Sequence, residues 1–114
     1  MKQKTTVNIR ETGKRTVRLE SAAIGSLEQF INEDFERTVE LIASCQGRVV
    51  ITGIGKSAII AQKIVATLNS TGTPALFMHA ADAIHGDLGM ITPDDVVVCI
   101  SKSGESPEIK ILVP

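Results

Sequence analysis

The sequence lacks the features that would direct it to a membrane, a nucleic acid or a secretory route. It has no tryptophan or tyrosine and three phenylalanines, so the core of its 114 residues must be aliphatic. Basic and acidic residues number 12 and 13, and a formal net charge of −1 gives no bulk attraction to nucleic acid or an anionic membrane. No run approaches the roughly 20 apolar residues of a membrane span, and the polar N-terminus lacks a signal-peptide core. We therefore expect a cytoplasmic protein of at most one small domain.

Cysteine and histidine are equally scarce, with two of each. Cys45 and Cys99 have no partner at metal-site spacing, which predicts buried thiols in a reducing compartment. His79 and His85 lack a clear third ligand. These patterns predict neither a metal site nor a cofactor.

The chain alternates helical and strand patterns. Residues 1–15 are polar and predict a flexible arm, and residues 16–45 have helical periodicity in two pieces, the second capped by Asn32. The remaining elements are predicted strands at 48–52, 75–79 and 96–100 and a helix at 57–69. Strands alternating with helices indicate right-handed crossovers and a parallel sheet, hence the α/β class. Three strands are few for that architecture, so we expect residues 16–114 to be the N-terminal portion of a larger domain.

The first strand runs into a glycine turn at 49–57, Val-Val-Ile-Thr-Gly-Ile-Gly-Lys-Ser. A strand, a glycine turn and a helix together present backbone N–H groups to a phosphate. A Walker A motif would require glycine in place of Val50, so the spacing excludes a nucleoside-triphosphatase. The alternative is a turn that needs its glycines for backbone reasons only, but Lys56 at its mouth favours an anion.

The same turn fits a dinucleotide fingerprint only in part. Gly53, Gly55 and Ala58 stand at the three required positions. An acidic residue should follow roughly 20 positions later, at the end of the next strand. His79 stands there instead, which argues against a dinucleotide.

A serine loop follows the third strand. Ser101, Ser103 and Ser106 surround Gly104 where parallel sheets bind ligands, and short hydroxyls near a helix start suit a phosphate monoester. The alternative is a solvated loop whose last serine only caps a helix. His85 and Glu108 are candidates for proton transfer, although either could be an ordinary surface residue. Asp94 and Asp95 are interpreted as turn residues.

Four motifs together resemble the arabinose-5-phosphate isomerases of the sugar isomerase (SIS) superfamily. They are Gly-Ile-Gly-Lys-Ser at 53–57, Ser-Thr-Gly-Thr-Pro at 70–74, His-Gly-Asp-Leu-Gly-Met at 85–90 and Ser-Lys-Ser-Gly-Glu-Ser at 101–106. The resemblance runs from about Phe35 to the C-terminus. It implies a Rossmann-like three-layer αβα sandwich around a five-stranded parallel sheet, incomplete in this chain. It also implies a homo-oligomer, a tetramer, that uses a sugar phosphate.

The implied reaction interconverts D-arabinose 5-phosphate and D-ribulose 5-phosphate, for the 3-deoxy-D-manno-octulosonate (Kdo) of lipopolysaccharide or capsule. By resemblance, the serine loop holds the phosphate, and Lys56, His85 and Glu108 lie in the active site. We hypothesise that Glu108 is the base, Lys56 the electrostatic stabiliser and His85 a proton shuttle or sugar-hydroxyl partner. Three residues of the glycine turn are assigned to substrate binding: Thr52, Gly55 and Ser57.

The sequence departs from the family at several points. Ala58 replaces a common glycine, and Lys102 a common asparagine. The family also draws a glutamate and a histidine from beyond Pro114, and usually carries two CBS domains there, so we expect little turnover from this length of chain alone. The alternative is a SIS module that binds sugar phosphate without chemistry, as in transcriptional regulators. The short N-terminal arm has no room for their helix-turn-helix.

Overall fold

The computed structural model describes residues 8–84 and 86–104, without the side chains of Ile84, Asp87 and Leu88. The chain divides after Thr38 into two compact units. The first begins with helix α1, Ile9–Ser26, followed by a 3₁₀ turn, Leu27–Phe30. Helix α2, Glu33–Ala43, spans the boundary.

Both helix starts follow from side-chain capping. Asn32 Oδ1 accepts hydrogen bonds from the N–H groups of Asp34 and Phe35 at 3.1 and 3.2 Å, which confirms the predicted cap. Asn8 Oδ1 does the same for Glu11 N at 3.2 Å, so α1 starts at Ile9. The helical region predicted to start at residue 16 therefore starts too late. The arm predicted at residues 1–15 overlaps the first turns of α1.

The second unit contains a three-stranded parallel sheet in the order β2-β1-β3. Its elements are β1 Val49–Gly53, α3 Lys56–Ser70, β2 Ala75–His79, α4 Ala80–Ile84, a 3₁₀ turn Asp87–Met90 and β3 Val96–Cys99. The predicted α/β class, the three strands and the helix between the first two are confirmed. Their bounds differ from the prediction by one residue or less at each end.

Strand β1 is the centre of the core. Its residues from Val49 to Thr52 are all at most 2% exposed. Val49 and Ile51 pack with Ala61 of α3 on one face, while Val50 packs with Met78 and Ala83 on the other. The near-continuous apolar run of β1 is thus buried on both faces, as is usual for a central strand of a parallel sheet.

The first turns of helix α3 contact the sheet through small side chains, and Val65 and Leu68 pack against the same cluster further along the helix. Ala58 and Ala61 are buried, whereas Ile59 and Ile60 are 66% and 54% exposed. A Cβ on Gly53 would come within 3.0 Å of the Ser57 backbone, so strand and helix approach closely at this point. The apolar side chains of α3 are therefore only partly turned to the core.

The Asp95 carboxylate links the amino ends of β1 and β3 through hydrogen bonds. Its Oδ1 accepts a hydrogen bond from Arg48 N at 2.7 Å, and its Oδ2 accepts one from Thr92 N at 2.8 Å. Asp95 N in turn donates to Thr92 O at 3.0 Å, which confirms the predicted turn. The backbone N–H groups of Arg48 and Thr92 lower the pKa of the Asp95 carboxyl to about 2.

This pKa predicts how Asp95 contributes to acid stability. Because the folded pKa lies below the ordinary value of 3.8, the contribution is full above that value and is lost as pH falls to about 2. We expect the difference in free energy of unfolding between wild type and Asp95→Asn to shrink between pH 4 and pH 2. Urea unfolding across this range measures it. The exposed neighbour variant Asp94→Asn controls for the removed charge, and a difference that stays constant over the range contradicts the assignment.

Candidate functional site

The carboxyl ends of the three strands lie side by side. In the register of the sheet, Thr52 pairs with both Met78 and Cys99, and Gly53 pairs with His79. Ile100 N donates to Thr52 O at 2.9 Å, so the chain leaving β3 is bonded to the end of β1. The glycine turn and the serine loop therefore start from adjacent points on one edge of the sheet, where open parallel sheets bind ligands.

The glycine turn directs the start of α3 to this edge. Gly55 has φ 61° and ψ −131°, a conformation that a residue with a Cβ adopts only under strain. Ala58 N donates to Gly55 O at 3.1 Å, and no side chain caps the helix start. Exposed Lys56 is the first helical residue, and the ion pairs between described residues do not include it. A cation thus stands beside helix N–H groups, a combination that attracts anions.

The serine loop forms a tight turn in its described part. Ser101 Oγ accepts a hydrogen bond from Gly104 N at 2.9 Å, and Gly104 has φ 71°. Ser101 is half-buried and Ser103 is exposed, and both make further interactions. The loop therefore holds two hydroxyls at the edge of the sheet that also carries Lys56.

Thr52 is a buried polar residue at the same edge. It is 0% exposed and lies on the sheet face that also carries Val50. Among the described residues its hydroxyl has no hydrogen-bond partner. An unsatisfied buried hydroxyl of this kind is a group that a ligand or water would satisfy. Its neighbour in register, Cys99, is half-buried, and desolvation raises the pKa of that thiol.

The structure describes most of the residues that the sequence predicts for the site, but three of them lie outside its described part. His85, Ser106 and Glu108 lie outside the described residues, as does the helix predicted to start after Ser106. The predicted residues that stand at or beside the carboxyl edge are Thr52, Gly55, Lys56, Ser57, Ser101 and Ser103.

His79 has a local structural role. Its Nδ1 accepts a hydrogen bond from Ala81 N at 3.1 Å, at the start of α4. Within residues 8–84 and 86–104, no three His, Cys, Asp or Glu side chains are grouped as a metal site would require. No helix in the described part of the chain is long and apolar enough to cross a membrane.

A cavity of about 440 Å³ lies at the opposite, amino edge of the sheet. Ile42, Cys45, Val49 and Pro74 are among its lining residues. The glycine turn and the serine loop instead start at the carboxyl edge, where helix N-termini that attract anions also lie. We therefore place the candidate site at the carboxyl edge.

Residues 41–114 match the SIS domain family. The chain belongs to this family. It is 53% identical over 108 residues to the arabinose 5-phosphate isomerase KdsD of Yersinia pestis, covering 95% of this chain and 33% of that protein. The chain thus spans about a third of the length of the curated relatives it matches.

Two solved structures extend the match to three dimensions. An Escherichia coli CFT073 protein solved in complex with arabinose 5-phosphate superposes with a TM-score of 0.77 at 41% identity, covering 95% of this chain and 59% of that one. A Listeria monocytogenes protein superposes with a TM-score of 0.87 at 34% identity, covering 98% and 59%. The αβα class predicted from the sequence is therefore confirmed.

Proposed function

We propose that this SIS chain belongs to an aldose–ketose isomerase that interconverts D-arabinose 5-phosphate and D-ribulose 5-phosphate. The observation that carries the proposal is the register of β1 and β3, which sets the glycine turn beside the serine loop. The names of the curated relatives and the sugar-phosphate complex of the E. coli CFT073 protein support the choice of substrate.

The phosphate of the substrate binds to the serine loop in this proposal. Ser101 and Ser103 supply hydroxyls, joined by Ser106, and a phosphate monoester has three oxygens to accept their hydrogen bonds. The uncapped start of α3 adds N–H donors from the neighbouring strand end. Thr52, Gly55 and Ser57 contact the sugar from the glycine-turn side.

The chemistry moves one proton from C2 to C1 and a second from the C2 hydroxyl to the C1 oxygen. A base takes the proton from C2 of the aldose and returns it to C1 through an enediol, while a donor stabilises the charge that develops on oxygen. We assign Glu108 as the base, Lys56 as the stabilising cation and His85 as a proton shuttle or a partner of a sugar hydroxyl. Lys56 suits its role because it stays exposed at the helix start, outside the ion pairs of the described residues.

The wider setting follows the same proposal. The chain forms the N-terminal portion of a SIS isomerase domain, and the enzyme works as a cytoplasmic homotetramer. Its product leads to Kdo for lipopolysaccharide or capsule.

Replacing the base distinguishes this enzyme from a SIS module that only binds sugar phosphate. Glu108→Gln keeps the shape of the side chain and removes its ability to take a proton. We expect kcat of the full-length protein to fall roughly 10³-fold, which is within the usual range for removal of a general base. Substrate affinity should change by less than about 3-fold, because the contacts that bind the ground state and the transition state equally are retained. A coupled isomerase assay and calorimetric titration with arabinose 5-phosphate measure the two quantities.

Glu40→Gln, on the exposed surface of α2, is the matched control and should leave both quantities unchanged. If wild type binds arabinose 5-phosphate without turnover and Glu108→Gln binds equally well, the binding module is correct and the isomerase proposal is wrong.

A further inference from the structure

The serine loop carries a cation of its own, Lys102, between its two described serines. Lys102 is exposed, and the ion pairs between described residues do not include it. Ser101 Oγ accepts a hydrogen bond from Gly104 N at 2.9 Å, so the turn closes with Lys102 and Ser103 at its tip. In the described part of the chain, the Lys102 ammonium is therefore available to an anion bound at this turn.

The neighbouring glycine turn leads to the second cation of this edge, Lys56. The two loops leave β1 and β3, which are paired strands, and Ile100 N is bonded to Thr52 O at 2.9 Å. Adjacent strands lie about 4.8 Å apart, so the two loops begin close together. Of the lysines and arginines at described positions, only Lys56 and Lys102 stand among the five residues that follow a strand. The two cations therefore approach one ligand from two sides.

A sugar phosphate presents negative charge at two places during the isomerisation. Its phosphate monoester carries about −1.5 to −2 charges at neutral pH, both in the bound substrate and in the transition state. The charge on the sugar oxygen develops only as the enediol forms. The donors that the proposed function assigns to the phosphate are serine hydroxyls and helix N–H groups, all of them neutral. Because hydrogen bonds between ionised partners are roughly twice as strong as neutral ones, this subsite gains most from one added cation.

We propose that Lys102 is the cation of the phosphate subsite and sets the ground-state affinity for the sugar phosphate. The proposal rests on the proposed function, in which the serine loop binds the phosphate and Lys56 stabilises the reacting end. Lys102 lies between two serines of that loop, whereas Lys56 belongs to the loop on the other strand. A charge that meets the phosphate equally in the bound substrate and in the transition state lowers KM without raising kcat. The two lysines thus divide binding and chemistry between them.

Lys102→Met in the full-length protein tests this division in a coupled isomerase assay. We expect KM for arabinose 5-phosphate to rise about 10-fold and kcat to stay within about 2-fold, as the loss of uniform binding requires. Lys102→Arg keeps the positive charge and should restore most of the wild-type affinity. Lys63→Met, which removes an exposed lysine from the middle of α3, is the matched control and should leave KM unchanged.

Calorimetric titration of the same proteins with arabinose 5-phosphate and with inorganic phosphate measures binding apart from turnover. We expect Kd for both ligands to rise about 10-fold in Lys102→Met and to stay at the wild-type value in Lys63→Met. Added KCl should weaken phosphate binding to wild type more than to Lys102→Met, because salt screens a charge pair that the variant lacks.

The outcomes separate this proposal from the proposed function. Wild-type KM and Kd values in Lys102→Met would identify Lys102 as a solvated surface lysine and overturn its role. A fall in kcat at unchanged KM, or an equal loss of affinity in Lys63→Met, would also overturn it. If wild type binds arabinose 5-phosphate without turnover, the proposed function fails, while the titrations still decide whether Lys102 binds the phosphate. If wild type binds neither ligand, both proposals fail.

Discussion

Lys56→Met lowers kcat of the proposed isomerase about 10²- to 10³-fold, the usual effect of removing one donor from a developing oxyanion. Lys56 is the first residue of α3 and is exposed at the carboxyl edge of the sheet. Methionine keeps most of the length of the side chain and removes its charge, so the enediol loses its stabilising cation. KM should rise less than kcat falls, because the oxyanion exists only in the transition state.

The control is Lys63→Met, which removes an exposed lysine further along α3. It should leave kcat within about 2-fold of wild type, as expected for a surface substitution away from the site. A coupled isomerase assay measures both variants. Equal kcat values for Lys56→Met and wild type would remove Lys56 from the mechanism.

Gly47→Ala has the largest expected effect on stability. A Cβ at this position would contact Asp95 Oδ1 and would lie 2.7 Å from Asp94 O and 2.8 Å from Asp94 C. Two of these atoms belong to the backbone of the turn before β3, so neither can rotate away. Overpacking against fixed backbone predicts a destabilisation of about 3 kcal/mol.

Urea unfolding of wild type and variant measures this effect. Gly13→Ala is the control, since Gly13 lies within α1 and a Cβ there would meet nothing within 4 Å. That substitution should stabilise the helix by about 0.5–1 kcal/mol. If Gly47→Ala unfolds at the wild-type urea concentration, the turn before β3 is not packed as described.

The parallel sheet was predictable because its signals are local. The β-branched run at 49–52 does not alternate between apolar and polar residues, so both faces of this strand must be buried. The glycines that follow it must begin a turn. The parallel order then brings the carboxyl ends of the strands to one edge without any knowledge of distances. For this reason the sequence was sufficient to predict that Lys56 and the serine loop share an edge.

Other features depend on contacts that no local pattern carries. The bond between Arg48 and Asp95 joins residues 47 positions apart, and Asp95 alone resembles an ordinary turn residue. Periodicity showed that α3 is helical but did not show that alanines, instead of Ile59 and Ile60, face the sheet. That choice is set by the close approach of Gly53 to Ser57.

Proton NMR of arabinose 5-phosphate incubated with the gene product in D₂O tests the central claim most directly. An enediol mechanism predicts that ribulose 5-phosphate forms, that solvent deuterium enters C1 of the ketose, and that recovered aldose is deuterated at C2. Lys56→Met should slow all three changes together. An aldose that stays protonated, with no ketose formed at an enzyme concentration that binds it, would contradict the account.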